Sequence, residues 1–140
     1  MKVHHGFGFC HVMGVRPDVI NTERETFRHP GYVFATRKDF LDRVGGLFDV
    51  GIVGSGDYYM AMGLIGKADE CLTTDFSDNY KDAILQWQAR VATHLTKGLG
   101  YCAGVVHYGF HGYKKDRGYH SRNKILKTHD FVLSEQQRSG

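Results

Sequence analysis

No apolar run in this chain approaches the ~20 residues that a membrane-spanning helix needs, so no membrane segment is expected. The opening stretch, MKVHHGFGFCHVMG, has one lysine and a short apolar run broken by histidine and glycine, which makes a poor secretory signal. Proline is scarce, with two in 140 residues, and there is no low-complexity run or internal repeat. A long linker is therefore not expected, and a single domain over 1–140 is the simplest organisation. Cysteine is scarce as well. Cys10, Cys71 and Cys102 form an odd, widely spaced set, unlike a disulfide framework and in keeping with reduced thiols in a cytoplasmic protein. The net charge of +3 is too small to call for a nucleic-acid partner.

Glycine, by contrast, is abundant at 18 residues, which points to sharp turns and close backbone approaches. Residues 1–28 show no clear period and are expected to be irregular. GYVFAT (31–36), apolar and aromatic after Pro30, has the composition of a strand. Thr36 and Asp39 approximate a capping box for a helix over 37–44, and Gly45 and Gly46 stop it. A second helix is expected over 58–65, with Asp57 as N-cap and Gly66 as stop. The clearest helix spans 79–97, where Ile84, Trp87, Val91 and Leu95 recur at helical spacing. YCAGVVHYGF (101–110) has the pattern of a buried strand. A last helix is expected over 116–128, with Tyr119, Arg122, Ile125 and Leu126 on one face, and 129–140 as a flexible tail. Strands interspersed with helices imply an α/β protein whose helices flank a sheet, with Trp87 and its helical neighbours packed on that sheet.

Two stretches stand out chemically. The first is GSGD, where Gly54, Ser55 and Gly56 precede Asp57. Capping alone explains the acid, at ~1 kcal/mol. It does not explain two glycines around a serine, which suit a backbone that something must approach closely. The second is HYGFHGYKKDRGYHSR (107–122). It places His107 and His111 at the end of an expected strand, then a basic cluster of Lys114, Lys115, Arg117 and Arg122 interleaved with tyrosines. Imidazole next to several cations suits a metal-bound phosphate. The alternative is an ordinary structural histidine beside a solvated basic face.

Together, HPGYVFATRKDFLDRVGGLFD, GSGD and HYGFHGYKKDR resemble, in order and spacing, the C-terminal half of GT-A-fold glycosyltransferases, over about residues 29–128. The resemblance implies a partial GT-A-like sheet with flanking helices. It implies that Asp57 receives the proton of an acceptor hydroxyl or binds that hydroxyl, with Gly54, Ser55 and Gly56 as its loop. It implies that His111 holds Mn²⁺ or Mg²⁺, and that Lys114, Lys115 and Arg117 lie near the leaving diphosphate. The implied partners are a nucleotide-sugar donor and a hydroxyl acceptor. The chain departs from the family in having no Asp-x-Asp, and only 28 residues precede the matched region. The N-terminal nucleotide-binding half is thus expected to be absent, or supplied by a separate chain. Two other functions compete. One is a non-catalytic binding module of the same fold. The other is a small metal-binding protein built on His4, His5, Cys10 and His11, whose spacing fits no standard zinc pattern.

Overall fold

A computed structural model describes residues 7–8, 28–31, 33–96, 98–102, 104, 113–119 and 121–134. Four α-helices organise them: α1 (Lys38–Val44), α2 (Gly56–Leu64), α3 (Asp78–His94) and α4 (Asn123–Thr128), with 3-10 turns at Ala68–Cys71 and Lys114–Arg117. Helical residues make up 49% of the described part. Strand pairing there is confined to two residues on each side, β1 (Phe7–Gly8) and β2 (Arg28–His29), which run parallel.

This overturns the α/β expectation and, with it, the partial GT-A-like sheet with flanking helices. Residues 33–36, most of the expected first strand, carry no ladder, and Val33 is 71% exposed. Residues 101, 102 and 104, at the start of the expected second strand, carry no regular structure, and 105–110 lie outside the described residues. The physical reason is that a strand is completed by its neighbours. β-branched and aromatic residues fit a pleated, half-buried surface, but backbone donors and acceptors need a partner ladder to become a sheet.

The first three helices form close to where the sequence signals them, and α4 covers only the second half of the helix expected over 116–128. Gly45 takes the left-handed conformation (φ 77°) at the end of α1. Its N–H and that of Gly46 donate to the carbonyls of Asp42 and Leu41, the glycine-dependent stop that saturates the last turn. Gly66 (φ 74°) does the same after α2, where Lys67 N–H reaches Met62 O at 2.9 Å. The expected capping box is not made. Arg37 is the N-cap without a side-chain bond, because the Asp39 carboxylate is engaged by Arg37 at 3.0 Å and Arg43 at 3.1 Å. Those two cations hold the Asp39 carboxyl below its ordinary range, the Arg37 hydrogen bond first.

α3 is the hub. Ile84, Trp87 and Val91 are buried on one face and Leu95 is partly buried, so the periodicity gives the right phase but the wrong partner. The face packs on α1 and α2, not on a sheet. Trp87 Nε1 donates to Gly46 O at 3.1 Å and Arg90 Nε to Val44 O at 2.7 Å, which pins the end of α1. Gln88 Oε1 accepts from Ala68 N–H at 2.7 Å. Asn79 Nδ2 donates to Leu133 O at 2.9 Å and ties the chain after α4 to the start of α3. Between these ties lies an aromatic cluster of Phe48, Tyr59, Phe76, Tyr80 and Phe131. Phe76 and Tyr80 are closest, with ring centroids 4.9 Å apart and an edge-to-face arrangement.

Candidate functional site

The loop between α1 and α2 is folded on itself by its glycines. Gly54 N–H donates to Gly51 O at 2.8 Å. A Cβ on Gly56 would lie 3.1 Å from Phe48 O, and one on Gly51 would lie 3.3 Å from Gly56 N. Gly54 has φ 89°, and Ser55, which is not glycine, has φ 68°. Left-handed backbone costs an L-residue roughly 1–2 kcal/mol, so something must hold Ser55 there.

A side chain from the far end of the chain meets it. The Arg122 guanidinium donates to Ser55 Oγ. The same group lies against Gly54, where a Cβ would sit 2.9 Å from Arg122 Nη1. Its other side lies over the Tyr119 ring, with Cζ 4.7 Å from the centroid. Arg117 reaches the same tyrosine: Nη1 donates to Tyr119 Oη at 3.0 Å, and its Cζ is 5.9 Å from the ring centroid. The GSGD loop and the basic segment, read from sequence as parts of one site, are thus joined through Ser55, Arg122, Tyr119 and Arg117. The close approach that Gly54 permits is made by an internal guanidinium.

Asp57 is not the N-cap. Ser55 holds that position, without a side-chain cap bond, and its carbonyl accepts from Tyr59 N–H at 3.0 Å. Asp57 sits inside the first turn of α2, and its Oδ1 accepts from Tyr58 N–H at 2.9 Å. It satisfies one orphan donor and lies at the positive end of the helix dipole, half-buried at the lip of the loop.

Beneath the loop, polar groups continue into the core. Burial holds the Tyr59 phenol above its ordinary range, against the Ser55 side chain and the Arg122 charge, which pull it down. Tyr80, fully buried, is pushed up by burial and by the neighbouring Tyr59. Its hydroxyl lies outside hydrogen-bond geometry with any described residue. The Cys71 thiol is pushed up to about 12 by burial, so it is an inert core group rather than a nucleophile.

The remaining sequence candidates are placed unevenly. Lys114 and Lys115 begin the 3-10 turn that ends at Arg117. His111, proposed from sequence for the metal, lies outside the described residues, as do His4, His5, Cys10 and His11. Among the described residues no three of His, Cys, Asp and Glu converge on a point that could hold a metal ion. Composition groups Arg122 with the basic cluster, and its spacing with Tyr119, Ile125 and Leu126 predicts a place on a helix face. Gly118 (φ 59°) breaks that helix and turns Arg122 toward the loop. Comparison with family models, with curated proteins and with solved structures finds no match.

The Arg122 contact has a measurable signature. Gly46 (φ 88°) has open space where its Cβ would lie, whereas Gly54 (φ 89°) faces Arg122. Gly46→Ala is expected to cost roughly 1–2 kcal/mol from backbone conformation alone. Gly54→Ala should cost ~1 kcal/mol more, because the guanidinium must leave Ser55 to make room. Urea unfolding of the two variants measures the difference, and equal losses would mean that Arg122 does not press on Gly54.

Proposed function

We propose that this chain is the acceptor- and metal-side half of a sugar-nucleotide-dependent glycosyltransferase. The observation that supports the reading is the bond from Arg122 to Ser55, which joins the acid-bearing loop to the basic segment. Glycosyl transfer needs a carboxylate at the acceptor hydroxyl and cations at the leaving diphosphate, a short distance apart. In the proposed reaction Asp57 takes the proton of the acceptor hydroxyl. The hydroxyl oxygen bonds to the anomeric carbon of the donor sugar. The bond from that carbon to the diphosphate breaks, and its electron pair leaves with the diphosphate. Arg117, with Lys114 and Lys115, offsets the charge that appears there. Mn²⁺ or Mg²⁺ on His111, where the resemblance puts it, would supply further charge neutralisation.

The chain has no Asp-x-Asp, so the donor-binding half belongs to a partner polypeptide or to a further segment in this proposal. The same absence favours a second reading, a binding module that keeps the acceptor side without turnover. We place the protein in the cytoplasm, a placement supported by Cys71 and Cys102 being free thiols. No helix among the described residues is long and apolar enough to cross a membrane.

Titration calorimetry tests the diphosphate side directly. A lone imidazole is a poor site for a hard ion, so Mn²⁺ alone should bind weakly. A nucleoside diphosphate should tighten it, and each should enhance the other equally, because coupling is reciprocal. His111→Ala should abolish the enhancement, and His120→Ala should leave it intact. Independent binding of the two in the parent chain would remove the diphosphate site from the proposal. Incubation with a panel of sugar nucleotides and Mn²⁺, with the donor-binding half present and diphosphate release as the readout, separates the transferase from the binding module.

A further inference from the structure

We infer that Arg122 is a positioning residue that holds Ser55 in the left-handed backbone and thereby fixes where α2 begins and where Asp57 stands. Three independent features converge on it. Ser55 carries φ 68° with no side-chain cap bond of its own at the start of α2. Relaxation of Ser55 to right-handed or extended backbone would redirect the first turn, which contains Asp57. The Arg122 guanidinium engages Ser55 Oγ with one edge and covers Gly54 with the same group. Its orientation is fixed in turn by the Tyr119 ring beneath it and by Arg122 N–H donating to Gly118 O at 2.8 Å. A planar guanidinium suits this better than an ammonium, because it stacks and donates at once. The separation of 67 positions along the chain makes the contact a tertiary clamp rather than a local turn. The consequence for glycosyl transfer rests on the function proposed above, but the clamp itself does not.

The test uses the intact chain in four variants: Arg122→Ala, Arg122→Lys, Ser55→Ala and Ser55→Gly. Backbone carbon chemical shifts of Ser55 report its conformation, and amide exchange of residues 59–62, the first amides of α2 with backbone acceptors one turn back, reports how firmly α2 starts. Arg122→Ala should move the Ser55 shifts away from left-handed values and speed exchange of those amides by about tenfold, the loss of one charge-assisted bond. Arg122→Lys should recover part of that protection. Ser55→Ala removes the hydroxyl but keeps the unfavourable backbone, so it should behave as Arg122→Ala does. Ser55→Gly also removes the hydroxyl, yet glycine adopts the left-handed backbone freely, so it should retain the parent exchange rates. That difference separates a conformational clamp from a merely stabilising bond, and it holds even if Arg122→Ala does not fold. If Ser55→Gly and Ser55→Ala lose protection alike, or if Arg122→Ala leaves the Ser55 shifts unchanged, the clamp is overturned. Where the parent transfers sugar, Arg122→Ala should lower kcat and leave the donor KM unchanged. Absence of transfer in the parent would count against the proposed function and leave the exchange result to decide the clamp.

Discussion

Replacing Trp87 with alanine is expected to remove ~3–5 kcal/mol of unfolding free energy, the usual cost of emptying a large buried site. The upper part of that range is expected here for three reasons. Trp87 is 4% exposed at the centre of the α3 face that meets both α1 and α2. Its ring is pressed on Gly63, where a Cβ would stand 2.9 Å from Cε3 and Cζ3. The two helix backbones therefore approach closely, and rigid neighbours collapse poorly into a cavity. The indole N–H is also the donor to Gly46 O, so alanine leaves the end of α1 without its anchor. Against a total of ~5–15 kcal/mol for an ordinary domain, the variant would be marginal at room temperature. Trp87 is the sole tryptophan, so unfolding should be followed by far-ultraviolet circular dichroism rather than fluorescence. Trp87→Phe keeps most of the ring and loses the donor, and should cost ~1–2 kcal/mol. A loss below ~1 kcal/mol for alanine would show that the ring does not fill the junction of the three helices.

Trp87 also shows what was legible in the sequence. The 3.6-residue period of Ile84, Trp87, Val91 and Leu95 gives a helix and its buried face, because burial on one side is what the period records. It does not say what covers that face, and two helices do so where a sheet was expected. Gly45, Gly46 and Gly66 were legible as stops because left-handed backbone at a helix end is a local requirement. The aromatic cluster was not legible. Phe48, Phe76 and Phe131 lie outside the α-helices, where no period marks a residue as inward. The site was legible in its parts. Two glycines around Ser55 signalled a close approach, but the approaching group, Arg122, lies 67 residues away and looked like part of a helix face. Gly118, near the start of the expected helix, was the one available sign that the face would be interrupted.

Asp57→Asn is expected to divide catalysis from capping at the residue on which the functional proposal turns. Asparagine keeps the size of the side chain and an oxygen able to accept from Tyr58 N–H, as Asp57 Oδ1 does. It loses the negative charge, and with it the ability to take a proton. If Asp57 only supports the first turn of α2, the variant should lose ~0.3–1 kcal/mol of stability, the worth of one acid at a helix start. Any transfer activity of the folded protein should then survive. If Asp57 is the base for the acceptor hydroxyl, the stability change should be equally small while the rate of transfer falls by roughly 10²–10⁴-fold, the contribution typical of a positioned general base. The loss should fall on kcat and leave the donor KM nearly unchanged, because the donor is bound at its diphosphate and not at the acceptor carboxylate. The measurement pairs urea unfolding with initial rates of transfer from a sugar nucleotide, with the donor-binding half present. A fall in rate of less than about fivefold in a folded variant would leave Asp57 as a helix residue and withdraw it from the proposed reaction. Donor and acceptor binding without turnover in the parent would favour the binding module, because the acceptor would then be held beside an intact carboxylate without losing its proton to it.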